Sequence, residues 1–252
     1  STMVDRIVPA ATPETLDEIA AALGGVRDEC AIACVPFIQW VVEDNFVAGR
    51  PRWEDAGVQL VDDVLPFEQM KLRMLNGSHS FLAYLGYLAG YRYIVDCMAD
   101  ENYRRAAHHL MLNEQAPTLQ VAGIDLAAYA EQLIERYSNP ALQHRTWQIA
   151  MDGTQKLPQR LLESIRWHRQ YGGSHAGLAL GVAGWMRYVG GIVDAGQPSD
   201  IRDPRLATLQ QAVSNSQDGE PRVAALLALK SVFGEQLPAD SAFVAEVTRA
   251  YL

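Results

Sequence analysis

The stretch Met70–Ser80, which reads Met-Lys-Leu-Arg-Met-Leu-Asn-Gly-Ser-His-Ser, opens the longest helix that the sequence predicts. Within it, Lys71, Asn76 and His79 form a Lys-x4-Asn-x2-His pattern. At about 100° per residue on an α-helix, Asn76 lies roughly 140° from Lys71 and His79 roughly 80° from it, so all three fall on one side. An amine, a carboxamide and an imidazole placed together suit a carbonyl oxygen. Asn and His can donate hydrogen bonds to that oxygen, while Lys delivers or removes its proton.

The residues after this stretch indicate that the helix is buried. Phe81–Leu88 is apolar nearly all round, which is typical of a helix inside a core. A buried Lys, Asn and His need partners or a chemical purpose, because burial of an unsatisfied polar group is costly. The alternative is that these three residues form an ordinary solvated helix face.

The composition is that of a folded protein with a sizeable core, since 49% of the 252 residues are hydrophobic and 20% are charged. A net charge of −9 argues against nucleic-acid binding. No apolar run is long enough for a membrane span and no signal sequence opens the chain, so we expect no membrane contact and a cytoplasmic location. Cys30 and Cys34 have no histidine close by, so we expect no metal site. With Cys97 they fit buried thiols in a reducing compartment.

Residues up to Pro66 predict a mixed α/β segment. A helix is expected from an N-cap at Thr12 to about Leu23. Cys30–Glu43 predicts one or two strands that are interrupted at Pro36, and Val58–Val61 predicts another.

Beyond Pro66 the pattern predicts helices and no convincing strand. Their expected ranges are Met70–Met98, Asp100–Glu114, Leu126–Tyr137, Leu142–Ala150, Pro158–Gln170, Ala176–Val189, Arg205–Ser214, Val223–Phe233 and Ser241–Leu252. We interpret Asp152–Pro158 as a polar turn and Gly190–Asp203 as a loop. The sequence contains neither a Gly-x-Gly-x-x-Gly motif nor a Walker-type loop, so we expect most of any nucleotide-binding fold to be absent from it.

Other polar residues are weaker candidates for a site. Asp5 lies next to Arg6, where a surface ion pair of little energetic weight is the simplest interpretation. Lys156 is expected in a loop, either facing solvent or meeting an anionic substrate. His108 and His109 are adjacent on a helix and face different directions, which does not suit a metal. Three further histidines, expected in the core or on the surface, are His144, His168 and His175.

Motifs that resemble one family are spread over essentially the whole chain. They are Met3–Ile7, Pro36–Phe46, Gly49–Pro51, Lys71–Ser80, Tyr84–Gly90, Asp152–Arg160, Ser164–His168 and Leu180–Tyr188. Together they resemble the polyol-specific long-chain dehydrogenases, the mannitol dehydrogenase family. The last three look most like its fructuronate reductase (D-mannonate oxidoreductase) branch.

This resemblance implies a mainly α fold: a multi-helical catalytic domain of the 6-phosphogluconate dehydrogenase C-terminal type, preceded by a short mixed α/β segment. Residues 1–66 would be the C-terminal remainder of the NAD-binding Rossmann domain. Residues 67–252 would be the helical catalytic and substrate domain. The missing N-terminal Rossmann half is therefore an expected partner.

The resemblance also implies residue roles and a reaction. Lys71 would be the general acid/base, Asn76 and His79 would hold the C–O oxygen, and Asp5 and Lys156 would bind the substrate. The implied enzyme is an NAD-dependent, metal-independent dehydrogenase that interconverts D-mannonate and D-fructuronate. A mannitol or polyol 2-dehydrogenase is the alternative within this class. A non-catalytic helical module that binds a sugar acid or a partner protein is the alternative from another class.

Two features depart from the family pattern, and a third, at Gln148, concerns the substrate. The glycine-rich loop is absent, so no cofactor-binding residue is assigned and this chain alone is not expected to transfer hydride. Val35 stands where a Glu is expected before Pro36. Gln148 lies near the position where mannitol-type members carry an Arg, which points away from a neutral polyol.

Overall fold

The computed structural model of the protein describes residues 1–191 and 199–252, which form two compact units. The N-terminal unit contains Ser1–Glu68 and Asn139–Gln143, and the helical unit contains Gln69–Ser138 and His144–Leu252. The predicted loop Gly190–Asp203 lies partly outside the described residues, at positions 192–198.

A small sheet organises the N-terminal unit. Strands β1 (Thr2–Asp5), β2 (Gln39–Glu43) and β3 (Gln59–Val61) lie in the order β1-β2-β3. β1 is antiparallel to β2, and β3 is parallel to it. Met3 and Val41 lie opposite each other in the register and are both buried, so they contribute to the core of this unit.

Helix α1 (Pro13–Ala22) confirms the predicted helix start. The side-chain oxygen of Thr12 accepts a hydrogen bond from the backbone N–H of Thr15 at 3.3 Å, which is the usual N-cap interaction. Pro13 occupies the first turn, where its missing N–H costs nothing. The predicted strand near residue 60 is confirmed as β3.

Only the second half of Cys30–Glu43 forms a strand, so of the one or two strands predicted there, interrupted at Pro36, one is present. Asp28 turns the chain there, and its carboxylate accepts a hydrogen bond from the backbone N–H of Cys30 at 2.9 Å. Pro36 has no N–H with which to continue a ladder, and β2 therefore begins beyond it.

Helices form most of the described chain after Pro66. They are α2 (Leu65–Met70), α3 (Ser78–Leu88), α4 (Ile94–Ala99), α5 (Glu101–His109), α6 (Leu126–Tyr137), α7 (Thr146–Ala150), α8 (Gly153–Leu157), α9 (Glu163–Tyr171), α10 (Ala176–Val189), α11 (Leu206–Ser214), α12 (Glu220–Leu227), α13 (Lys230–Phe233), α14 (Gln236–Ala239) and α15 (Ser241–Tyr251). Three further segments are π-helical: Lys71–Gly77, Leu110–Gln115 and Pro158–Leu162. The predicted mainly α fold, preceded by a short α/β segment, is confirmed.

The predicted helix Met70–Met98 is wrong at its C-terminal end, because α3 stops at Leu88. Gly90 adopts a left-handed conformation with φ 87°, which an α-helix cannot contain. The chain then turns, and α4 begins at Ile94.

The segment predicted as a polar turn, Asp152–Pro158, is helical and contains α8. The carboxylate of Asp203 accepts a hydrogen bond from the backbone N–H of Thr154 at 2.9 Å and caps the start of this helix. The cap comes from a residue about fifty positions away, so local sequence cannot reveal it. Lys156 therefore lies on a helix rather than in a loop.

The core of the helical unit lies where α3 packs against α10. Tyr84 and Trp185 are fully buried there. Gly184 on α10 allows the two helices to approach closely, because a Cβ at this position would lie 2.8 Å from a side-chain carbon of Leu85. The predicted core helix Ala176–Val189 is confirmed as α10.

Candidate functional site

Lys71 and Asn76 lie in the segment Lys71–Gly77, which is π-helical, whereas the sequence predicts an α-helix there. In a π-helix the backbone N–H of residue i+5 bonds to the carbonyl of residue i, so residues five apart are stacked more closely than on an α-helix. Lys71 and Asn76 are separated by five positions. The wider helix therefore brings them nearer to one line than the 140° expected at first.

His79 follows on the first turn of α3 and is buried, with 4% of its surface exposed. Its ring stacks on that of Tyr137, with the centroids 4.2 Å apart. Burial lowers the pKa of His79 well below its ordinary value, and repulsion from His144 in its protonated form and from the cations Arg160 and Arg136 lowers it further. The imidazole is therefore neutral at neutral pH and can donate one hydrogen bond without carrying a charge.

His144 meets His79 edge to face, with ring centroids 5.2 Å apart. Burial, followed by the positive charge of Lys156, lowers the pKa of His144 to about 4. Its Nδ1 is buried and has no hydrogen-bond partner among the described residues. We expected a core or surface position for His144, and its place beside His79 could not be found from spacing because 65 residues separate the two in the sequence.

Lys156 on α8 is half-buried and lies close to these rings. Its Nζ donates a hydrogen bond to the backbone carbonyl of Ile149 at 3.2 Å and lies 3.9 Å from the carboxylate of Asp152. Burial and the charge of Arg160 lower the pKa of Lys156, although Asp152 and Asp203 oppose this effect. The interpretation as a freely solvated loop lysine is therefore wrong.

Arg160 completes what we call the basic cluster, defined as His79, His144, Lys156 and Arg160. Its Nη1 donates a hydrogen bond to the hydroxyl of Ser80 at 3.1 Å. Burial lowers the pKa of Arg160 below its ordinary value. Arg160 lies in the motif Asp152–Arg160, but the sequence predicts no role for it. Its contact with Ser80 arises only when α3 packs against the segment after α8.

Close packing of the π-helical segments positions this cluster. Gly77 lies so near the backbone carbonyl of Arg160 that a Cβ would approach its oxygen to 2.7 Å. The side-chain amide of Gln115 donates a hydrogen bond to the same carbonyl at 2.9 Å. The hydroxyl of Ser164 in turn donates to the carboxamide oxygen of Gln115. The backbone that carries Arg160 is therefore fixed on two sides.

Asp5 and Val35 belong to the N-terminal unit. Asp5 is the last residue of β1 and is fully buried, so its interpretation as part of a surface ion pair is wrong. Arg6 instead donates a hydrogen bond to the backbone carbonyl of Val35 at 3.1 Å. Val35, which stands where a Glu was expected, is buried. A role of Asp5 in substrate binding stays a prediction.

The remaining histidines and the cysteines are not part of the basic cluster. His108 pairs with Glu131 at 2.7 Å, and His168 bonds to the backbone carbonyl of Glu114 at 2.6 Å. The cysteines were expected to be buried, and this is correct for Cys97 but wrong for Cys30, which is exposed. Within residues 1–191 and 199–252, no helix combines the length and apolar character needed to cross a membrane.

Two family descriptions match the chain. The mannitol dehydrogenase C-terminal domain matches residues 63–252, and the mannitol dehydrogenase Rossmann domain matches residues 1–55. Among solved structures, the Pseudomonas fluorescens mannitol 2-dehydrogenase in ternary complex with NAD and D-mannitol is 38% identical, with a TM-score of 0.91. That likeness covers 99% of this chain and 50% of the dehydrogenase.

Curated relatives give the same result. The Escherichia coli D-mannonate oxidoreductase is 62% identical over 251 residues, which cover 99% of this chain and 51% of the relative. The E. coli protein named uncharacterized oxidoreductase YdfI is 66% identical over 252 residues, 100% of this chain and 52% of the relative. The chain thus spans about half the length of the curated relatives it matches. Its sequence and its structure place it in the mannitol dehydrogenase family.

Proposed function

We propose that the complete protein is an NAD-dependent oxidoreductase that interconverts D-mannonate and D-fructuronate, and that this chain supplies the acid–base and substrate-binding residues. The observation that carries the proposal is the basic cluster: the half-buried cations Lys156 and Arg160 lie beside the neutral imidazoles of His144 and His79, respectively. Such a site favours a substrate that has both a reacting C–O group and a negative charge. The relative named D-mannonate oxidoreductase supports this substrate class.

Asn76, His79 and Lys71 have different roles at the reacting oxygen of the substrate. In the reducing direction, Asn76 and His79 donate hydrogen bonds to the carbonyl oxygen and stabilise the charge that develops on it. The ammonium of Lys71 then gives its proton to that oxygen, and in the oxidising direction the neutral amine takes the proton back. Lys156 acts as a cation on the substrate side, facing the carboxylate.

The donor set fits a nicotinamide cofactor. Lysine, asparagine and histidine can move protons and donate hydrogen bonds, but none of them can accept or give a hydride. When bound, NAD supplies that hydride transfer. We propose that residues 1–66 are the C-terminal part of the Rossmann domain and residues 67–252 the catalytic domain. The sequence has no glycine-rich loop, so no residue of this chain is assigned to cofactor binding.

A mannitol or polyol 2-dehydrogenase is the second candidate within this class. The solved relative with D-mannitol supports it. A neutral polyol would, however, leave the charge of Arg160, which forms no ion pair among the described residues, uncompensated at a partly dry site, and this is unfavourable. The basic cluster therefore favours the sugar acid.

The experiment that tests the proposal is a Lys71→Ala substitution in the complete protein. We expect kcat/KM for fructuronate reduction with NADH to fall by about 100- to 10,000-fold, because general acid–base catalysis contributes about that much. NADH absorbance measures the rate. Lys230→Ala is the matched control, because Lys230 is 75% exposed and pairs with Glu235. Unchanged turnover in Lys71→Ala would reject the acid–base role.

A further inference from the structure

A guanidinium group that the proposed mechanism does not use lies beside the catalytic helix. Arg160 donates its hydrogen bond to Ser80, the residue directly after His79. Its positive charge also contributes to the low pKa of His79, which shows that the two groups interact. A ligand that contacts the imidazole of His79 is therefore close to Arg160.

Arg160 has hydrogen-bonding capacity to spare. Its Nε is buried and has no hydrogen-bond partner in the part of the chain that the structure describes. The hydroxyl of Ser80 occupies Nη1, which fixes the plane of the guanidinium. The Nε–H and Nη2–H groups lie along the same edge of the planar guanidinium and form the pair that binds a carboxylate with two parallel hydrogen bonds.

The charges around Lys156 and Arg160 favour the binding of an anion. Lys156 lies four positions before Arg160 on the same continuous helix, so the two cations are on neighbouring turns. Asp152 lies 3.9 Å from Lys156, and Asp203 already accepts two hydrogen bonds from Thr154. Arg160 takes part in no ion pair among the described residues. A half-buried charge of this kind, whose Nε is fully buried, is costly unless it is paired.

We propose that Arg160 binds the carboxylate of the sugar acid and makes the site selective for an acid over a neutral polyol. This inference rests on the proposed function. The hydrogen bond from Gln115 to the backbone carbonyl of Arg160 holds the guanidinium in place before the substrate arrives. A positioned arginine gives direction as well as charge, whereas Lys156 supplies a point charge.

The test compares Arg160→Gln and Arg160→Lys in the complete protein with NADH. Each variant is assayed with fructuronate and with fructose, a neutral ketose that lacks the carboxylate. We expect kcat/KM for fructuronate to fall about 100-fold in Arg160→Gln, mostly through KM, because one partner of a buried charge pair is lost. The loss in Arg160→Lys should be smaller, and the fructose value should change less than threefold. Arg249→Gln is the matched control, because Arg249 is 79% exposed.

The outcomes separate this inference from the proposed function. Equal losses with both substrates would show that Arg160 supports the fold of the site, and would overturn the inference while the function stands. Unchanged fructuronate kinetics would also overturn it. A wild-type protein that reduces fructose but no sugar acid would overturn both. Should Arg160→Gln fail to fold, as judged by circular dichroism, the fructuronate-to-fructose ratio of Arg160→Lys decides, since this variant keeps the charge.

Discussion

His79 and His144 are both neutral at neutral pH, although the basic cluster to which they belong also contains the cations Lys156 and Arg160. Their ring centroids are 5.2 Å apart, and burial is the main reason that both pKa values are low. A neutral His79 suits the proposed chemistry, since it can donate a hydrogen bond to the reacting oxygen without competing with Lys71 as the proton donor. The same burial makes the stability of the fold depend on pH.

Acid should destabilise the protein through His144. The unfolded residue titrates near its ordinary value of 6.5, whereas the folded one titrates at about 4, so below pH 6.5 the unfolded state binds more protons. The stability that the protein gains from keeping His144 neutral is fully present above pH 6.5. It is lost progressively as the pH falls from 6.5 to about 4. Between pH 7 and pH 5, His144 alone should reduce the free energy of unfolding by about 2 kcal/mol. Urea denaturation at each pH measures this.

A His144→Gln variant isolates that contribution. At pH 8 residue 144 is neutral in the folded and the unfolded state of both proteins. Any difference in stability between wild type and His144→Gln at that pH therefore reflects packing and not protonation. Between pH 7 and pH 5 the variant should lose about 2 kcal/mol less than the wild type, because glutamine does not titrate. Parallel pH profiles for the two proteins would show that His144 is not the residue responsible.

Part of the candidate site could be predicted from the sequence at the scale of residues. Lys71, Asn76 and His79 lie within nine positions, so helical spacing was enough to group them. Arg160 and His144 join them only through tertiary contacts across 80 and 65 positions. Neither carries a local pattern that distinguishes it from a surface arginine or a core histidine.

At the scale of elements, the π-helical segments set the spacing of the site. Lys71–Gly77 carries Lys71 and Asn76, two of the three catalytic candidates, and Pro158–Leu162 carries Arg160. These two segments pack against each other, and the contact at Gly77 is too close for any side chain. π-Helical turns frequently occur at functional sites, which agrees with their position here.

A Gly77→Ala substitution should therefore loosen the site. The added Cβ would lie 2.7 Å from the carbonyl oxygen of Arg160 and 2.8 Å from the amide nitrogen of Gln115. It must therefore separate the two segments or break the hydrogen bond that Gln115 donates to that carbonyl. Overpacking of this kind costs about 1–3 kcal/mol. We expect the free energy of unfolding to fall by that amount. Urea denaturation followed by circular dichroism measures it.

Gly177→Ala provides the comparison for this prediction. There a Cβ would lie 3.1 Å from side-chain atoms of Glu114 and Leu110, which can shift more easily than a backbone carbonyl. Alanine also favours a helix over glycine by about 1 kcal/mol, which offsets part of the crowding. Gly177→Ala should thus be clearly more stable than Gly77→Ala. A Gly77→Ala protein as stable as the wild type would contradict the close-packing argument.

The helices themselves were largely predictable, whereas their π-helical character was not. Leu126–Tyr137 and Ala176–Val189 were predicted to the residue, since each is flanked by residues that stop a helix. Lys71–Gly77 has the same local preferences as an α-helix. A wider turn is stabilised by packing against distant segments, and hydrophobic periodicity does not record that packing.

At the scale of the whole molecule, the two units differ in how well they cover their apolar side chains. Nine of the twelve large hydrophobic residues that are exposed in the described chain belong to the N-terminal unit. They are Val4, Val8, Leu23, Val26, Ile32, Ile38, Phe46, Val47 and Leu65. A well-covered sheet would bury most of them, so we infer that further chain packs on this unit in the complete protein.

The exposed apolar residues of the N-terminal unit predict that the 252-residue chain self-associates. Exposed apolar side chains promote association, and the net charge of −9 opposes it mainly at low salt. Sedimentation at increasing concentration should show oligomers that become more abundant as salt is added. Paired Phe46→Ser and Val47→Ser changes should reduce association, whereas Tyr171→Ser, an exposed residue of the helical unit, should not. The complete protein should lack this salt-dependent association, because its Rossmann half would cover the surface. If the 252-residue chain is strictly monomeric, the inference that further chain packs on the N-terminal unit is contradicted.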